Sequence, residues 1–113
     1  MSERPSLVMC SLCTGETLPD DERPDGQRGR LLEVAGRCGV RLKEVECLDQ
    51  CDQGDVVVAR PARAARRDGA RPVWFAGIAG DEATAALEGW IDAGGPGQPL
   101  PSDLATHRVA PPA

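Results

Sequence analysis

The sequence predicts an α/β domain with a mixed four-stranded sheet flanked by helices, in the order β-α-β-β-β-α. Four short apolar runs resemble buried strands in length and composition, and two longer segments have the apolar periodicity of amphipathic helices. A helix pattern separates the first two strand patterns, as in a β-α-β unit. With 113 residues, the chain has room for one compact domain but not for two.

The first half of the chain contains a strand, a helix and a second strand. SLVMC, residues 6–10, is a buried-strand candidate, and a turn-rich loop follows it. A helix begins near Gly26, and Gly39 stands where a C-terminal stop is expected. The apolar face of this helix consists of Leu31, Val34, Ala35 and Cys38. VRLKEVEC, residues 40–47, then alternates like a half-buried strand.

The second half adds two strands and a helix. DVVVAR, residues 55–60, is a continuous β-branched run typical of an interior strand. PVWFAGI, residues 72–78, is the fourth strand. A helix from about Gly80 to Ala93 begins with acidic residues, which the helix dipole favours at that end. Its apolar face consists of Ala83, Ala86, Leu87, Trp90 and Ile91.

The C-terminal residues differ in composition from the rest of the chain. Proline and glycine are frequent in GGPGQPLPSDLATHRVAPPA, and this composition disfavours regular structure. We therefore expect residues 1–95 to form the domain and residues 96–113 to form a Pro-rich C-terminal arm, extended or disordered.

The order of the elements predicts how they pair. A β-α-β unit has a right-handed crossover and parallel strands, whereas the third and fourth strands follow each other closely and should pair antiparallel. One helix can then cover each face of the sheet. This arrangement is like the thioredoxin fold, although other small α/β plaits fit the same order.

Composition limits the classes of function. A net charge of -5 argues against nucleic-acid binding and suits a basic protein partner. The exception is ARPARAARRDGARP, residues 59–72, which we interpret as a solvated loop, with a docking patch as the alternative. No segment has the pattern of a membrane span or a cleaved leader, so the sequence favours a cytoplasmic location without membrane attachment.

Four of the five cysteines form two pairs, Cys10 with Cys13 and Cys47 with Cys51. The first cysteine of each pair ends a predicted strand, and parallel neighbouring strands end at the same edge of a sheet, so we expect the four thiols to converge there. In a reducing compartment, cysteines are more often metal ligands or redox groups than structural disulfides. Four thiolates can hold a 2Fe-2S cluster or one tetrahedral zinc ion.

Three other roles for these cysteines are the alternatives to a cluster. Thiol-disulfide exchange is disfavoured because Cys13 is followed by an acidic turn-rich loop, not by a helix N-terminus that would activate the thiol. Four unrelated cysteines are also disfavoured, because turn-rich loops bury small side chains poorly. Binding of a zinc ion stays an alternative, since C-x2-C followed by C-x3-C is close to zinc-ribbon spacing. Acidic residues around the second pair favour the cluster, because they would lower its potential and offer a docking face. They are Glu46, Asp49, Asp52 and Asp55.

The two cysteine-bearing loops resemble those of known metalloproteins. A cysteine loop after the first strand and VECLDQC after the second resemble the thioredoxin-like 2Fe-2S ferredoxins, whose second pair is also C-x3-C. The chain is still more similar to a bacterial family of small predicted metal-binding proteins. That family has C-x-x-C after the first strand, V-E-C-L-x-x-C, a V-W/Y-F-like strand and a proline-rich tail. The resemblance covers nearly the whole chain and implies that the cluster ligands are Cys10, Cys13, Cys47 and Cys51.

This resemblance implies a small electron carrier, not an enzyme. It would transfer one electron from a reductase to an acceptor oxidoreductase. The acidity of the second loop separately predicts that Asp49, Asp52 and Asp55 form a rim facing these redox partners. Ferredoxins of this kind are often homodimers. A zinc-binding four-cysteine module with a structural or metal-handling role is the alternative.

The remaining notable residues are predicted to be structural. Cys38 lies on the apolar stripe of the first helix and should pack as a small hydrophobe. His107 is the only histidine and is predicted at the surface. Trp74 and Trp90 are predicted to pack in the core between the sheet and the second helix. No Ser/His/Asp set, phosphate-binding glycine loop or carboxylate pair indicates a catalytic site.

Overall fold

The computed structural model of the chain describes residues 4–10, 14–15, 18, 21, 23, 25–46 and 54–110. These residues form a five-stranded mixed sheet and four helices, which confirms the predicted α/β class. The elements are, in chain order, β1 (Ser6–Cys10), α1 (Gly26–Cys38), β2 (Arg41–Val45), β3 (Val57–Arg60), α2 (Arg63–Arg67), β4 (Val73–Phe75), α3 (Gly80–Asp92), α4 (Ser102–Ala105) and β5 (Arg108–Val109). None of the helices in this part of the chain has the length and apolar character needed to cross a membrane.

The strands of the described residues pair in the order β2-β1-β3-β4-β5. β1 and β2 are parallel, with Ser6 opposite Arg41 and Cys10 opposite Val45. β3 is antiparallel to both β1 and β4. The predicted parallel and antiparallel pairs are therefore confirmed, and β3 is the interior strand that its β-branched run indicates.

The two long helices have the bounds that their sequence patterns predict. α1 ends before Gly39, whose φ of 66° is left-handed and whose N–H donates to the Ala35 carbonyl oxygen. On α3, Leu87, Trp90 and Ile91 are buried as expected. Periodicity therefore identified the faces that pack into the core.

Both long helices pack against the same face of the sheet, which differs from the prediction of one helix on each face. One buried cluster combines Leu7 and Met9 of β1 with residues of α1, α3 and α4. The rings of Phe75 in β4 and Trp90 in α3 meet edge to face, with centroids 5.5 Å apart. The large apolar side chains of three strands share this face, and together they form a surface broad enough for both helices.

The C-terminal residues up to Ala110 also differ from the predicted arm. β5 pairs antiparallel with β4, so the sheet has five strands where the sequence predicted four. Leu104 of α4 is completely buried in the main core cluster, and Leu100 packs against it. These two leucines give a segment rich in proline and glycine enough apolar surface to pack on the domain.

A buried guanidinium links the beginning of α1 to the beginning of α3. Arg30 donates from Nη2 to Asp21 at 3.0 Å and from Nε to Asp81 at 2.8 Å. The Arg30 hydrogen bond is the main cause that lowers the pKa of the Asp21 carboxyl, and the backbone N–H of Arg23 is the second. The contact between Arg30 and Asp21 therefore stabilises the fold more when the Asp21 carboxyl is ionised than when it is protonated.

We expect Asp21→Asn to make stability less dependent on acid pH. The pKa of Asp21 is lower in the folded than in the unfolded chain. Its contribution is therefore complete above the ordinary Asp pKa, near 4, and is lost as pH falls through the lower folded value. Urea midpoints of the parent chain should fall more steeply than those of Asp21→Asn between about pH 5 and about pH 2. Asp68→Asn, at an exposed position, is the control. Equal pH slopes for the parent and Asp21→Asn would contradict this account.

Candidate metal centre

The carboxyl ends of the two parallel strands lie side by side. Cys10 is the last residue of β1 and pairs with Val45, the last residue of β2. Cys47 follows Val45 by two positions in the sequence. The expectation that both cysteine-bearing loops leave the sheet at one edge is therefore confirmed for the strand ends.

The structure describes one of the four candidate ligands. Cys10 is described, whereas Cys13, Cys47 and Cys51 lie outside the described residues, as do Asp49 and Asp52 of the predicted acidic rim. The described residues contain no group of three or more His, Cys, Asp or Glu side chains placed to hold a metal ion. Cys10 and the residues that flank the other three cysteines are the described part of the predicted site.

Cys10 is buried and contacts Glu46, the last described residue before the second cysteine loop. Its side chain is 0% exposed and packs in a small cluster with Val56, Trp74 and Ala76. Its Sγ donates to the backbone carbonyl oxygen of Glu46 at 3.2 Å. Because Glu46 immediately precedes Cys47, the Cys10 sulfur lies beside the chain that leads into the second pair.

The residues that bracket the two cysteine loops are bonded to each other. The N–H of Thr14 donates to the carbonyl oxygen of Cys10 at 3.1 Å, and the Thr14 hydroxyl donates to the same oxygen. The N–H of Gly15 donates to Oδ1 of Asp55 at 2.6 Å. Cys10 at the start of the first loop contacts Glu46 at the start of the second loop. Gly15 at the end of the first loop bonds to Asp55 at the end of the second loop.

Asp55 supports this junction and is not part of an exposed rim. Its side chain is buried and only 1% of the residue is exposed, so the prediction that Asp55 faces a partner was wrong. Its φ of 47° is left-handed, a conformation that Asp tolerates better than most residues. Its own carbonyl oxygen accepts from the N–H of Ile78 at 3.3 Å. Glu46, in contrast, is exposed as predicted.

We expect Asp55→Ala to destabilise the fold by about 1–3 kcal/mol, because it leaves the partly buried N–H of Gly15 without its carboxylate acceptor. Asp55→Asn retains an acceptor oxygen and tolerates the left-handed backbone, so its cost should be less than about 1 kcal/mol. Urea unfolding of the two variants measures the difference. If Asn proves as costly as Ala, the negative charge matters at this position and the acceptor does not suffice.

The sequence predicted His107 at the surface, whereas it lies at the same edge of the sheet as Cys10. Its backbone carbonyl oxygen accepts from the N–H of Ala76 at 2.9 Å, and its ring Nδ1 is 3.0 Å from the carbonyl oxygen of Ala76. Ala76 in turn packs against the small cluster formed by Cys10 and Val56. The residue is half-buried, not a freely exposed surface residue. A two-residue strand such as β5 has too little sequence pattern to reveal this placement.

Cys38 belongs to the core, as predicted. It is 2% exposed and packs in the main core cluster between the helices and the sheet. Burial raises the pKa of its thiol, and the nearby Glu88 carboxylate adds to the effect. Cys38 precedes β2, whose first residue lies beside Ser6, so it sits toward the end of the sheet opposite Cys10. The burial and the position both separate it from the candidate ligands.

No family model matches the chain, and the searches of curated proteins and of solved structures give no match either. Its function is therefore inferred from its own residues and their contacts.

Proposed function

We propose that the chain is a small electron carrier that holds a 2Fe-2S cluster with Cys10, Cys13, Cys47 and Cys51. The observation that supports this proposal best is the bonded junction at one edge of the sheet. The ends of both cysteine loops meet there, next to the buried sulfur of Cys10. Such a cluster supplies one-electron redox chemistry when bound.

The donor set fits this group. Thiolate sulfur is the usual ligand of iron in 2Fe-2S centres, and ligand thiols bind as thiolates after losing their protons. Cys10 now donates its S–H to the carbonyl oxygen of Glu46, so ligation would replace this hydrogen bond. The Cys10 sulfur already contacts Glu46, the residue that precedes Cys47 in the sequence.

The chain's own residues would control the surroundings of the centre. Val56 and Cys10 are completely buried, and Trp74 and Ala76 pack against them, so this apolar layer keeps water away from the inner side. The hydrogen bond between Gly15 and Asp55 ties the loops together with a buried carboxylate nearby. Negative charge and limited solvent access are two of the factors that set the potential of such centres.

A structural zinc ion is the alternative occupant, and the size of the core argues against it. Structural zinc commonly replaces a hydrophobic core in small domains that do not fold without metal. In the described part of this chain, 13 buried residues already form one cluster between the sheet and the helices. A redox role therefore explains a metal at this edge of the sheet better than a need to stabilise the fold.

We also propose a thioredoxin-like arrangement of the sheet and an acidic docking surface for redox partners. The parallel β1–β2 pair and the antiparallel β3–β4 pair support a thioredoxin-like arrangement. A reductase and an acceptor oxidoreductase would dock near exposed Glu46, with Asp49 and Asp52 completing the acidic surface. A homodimer is consistent with the ferredoxin resemblance and would be seen by light scattering.

Reductive titration of anaerobically purified protein tests the electron-carrier role. We expect visible absorption that bleaches after uptake of about one electron per chain and returns on reoxidation. A colourless protein that takes up no electrons would end the proposal. Cys38→Ala is the matched control, because it removes a thiol from the core and should leave the titration unchanged.

A further inference from the structure

A cavity with four arginines lies at the end of the sheet opposite the candidate metal centre. Arg4, Arg41, Arg63 and Arg66 line it, and its volume is about 660 Å³. Ser6, the first residue of β1, also contributes to the lining, whereas Cys10 is the last residue of that strand. A five-residue strand rises roughly 13 Å, so the length of β1 separates this cavity from the cysteine edge.

Three separate parts of the chain supply the arginines. Arg4 precedes β1, Arg41 begins β2, and Arg63 and Arg66 are one helical turn apart on α2. None of the described residues that line the cavity is acidic. This concentration of positive charge is notable in a chain whose net charge is -5.

Most ion pairs among the described residues use other arginines. Arg28, Arg30 and Arg37 pair with carboxylates, whereas of the cavity arginines only Arg4 approaches one, Asp92, at 4.0 Å. Within the described part of the chain, Arg41, Arg63 and Arg66 have no carboxylate partner. Like charges around one cavity repel each other, and a bound anion would offset that repulsion.

We propose that this cavity binds a small molecule that carries two or more phosphate groups. Guanidinium groups bind phosphate through paired hydrogen bonds, and several of them around one cavity match a ligand with several negative charges. The volume lies in the range of small-molecule sites. No aromatic residue is among the described residues that line it, so a stacked nucleobase has no platform. The phosphate groups themselves are the feature that the cavity recognises.

Titration calorimetry of the full chain with sodium pyrophosphate tests this inference. We expect about one pyrophosphate to bind per chain, and the double change Arg63→Ala with Arg66→Ala to weaken binding by at least about tenfold. Arg41→Gln should also weaken it, and this variant does not depend on α2. Arg67→Ala with Arg71→Ala removes the same charge outside the cavity lining and should change affinity by less than about twofold.

Two results would overturn the inference. One is the absence of pyrophosphate binding by the parent chain. The other is equal weakening by the two double variants, because general electrostatic attraction would then explain the affinity. Neither result bears on the proposed cluster, because the metal content is measured separately.

Discussion

Cys47→Ala is expected to abolish metal binding, whereas Cys38→Ala should retain the full metal content. Cys47 follows the strand end that lies beside Cys10, so it belongs to the proposed ligand set. Cys38 packs in the core with its Sγ 3.8 Å from the carbonyl oxygen of Glu88. Its replacement by Ala leaves a small cavity and should cost only on the order of 1 kcal/mol. Metal analysis of the purified single variants measures the difference.

A different ligand set would give a distinct pattern in the same assay. If Cys38→Ala loses its metal while Cys13→Ala retains it, the ligands are Cys10, Cys38, Cys47 and Cys51. That result would contradict both the burial of Cys38 and the ligand role carried over to Cys13 from the family resemblance. Thermal unfolding of each variant distinguishes loss of a ligand from loss of the fold.

Leu104→Ala is expected to lower the free energy of unfolding by about 2–5 kcal/mol, with a fall in Tm on the order of 10 °C or more. Leu104 is completely buried among residues of the main core, so its truncation would leave a cavity there. Leu32→Ala makes the same chemical change on α1 at a side chain that is 45% exposed, and it should cost less than about 1 kcal/mol. Urea unfolding gives both values.

The two leucines test whether the C-terminal segment is part of the fold. If Leu104→Ala costs no more than Leu32→Ala, α4 does not pack into the core and the segment is the extended arm that its composition predicts. A large difference would show that a segment rich in proline and glycine stabilises the domain through one leucine.

The strongest predictions from the sequence concerned elements with a long repeating pattern. α1 and α3 are each 13 residues long, and their apolar periodicity and the stop at Gly39 defined both their bounds and their buried faces. The buried strand ending at Cys10 and the β-branched run of β3 were equally clear. These patterns are local, so they can be read from neighbouring residues.

The features that the sequence did not reveal depend on contacts between distant residues. Asp55 is polar and lies in an acidic loop, so only the fold shows that it is buried against Gly15. Placement of both helices on one face depends on which strand residues share that face. The arginine cavity combines residues that are far apart in the chain, and only Arg63 and Arg66 belonged to a visible basic segment.

Analysis of iron, acid-labile sulfide and zinc in anaerobically purified protein tests the central claim most directly. The account predicts iron and sulfide in equal amounts, about two of each per chain, together with the visible absorption of a 2Fe-2S centre. The Cys47→Ala variant should contain neither. Colourless protein with about one zinc ion per chain and no sulfide would contradict the account and favour the four-cysteine zinc module.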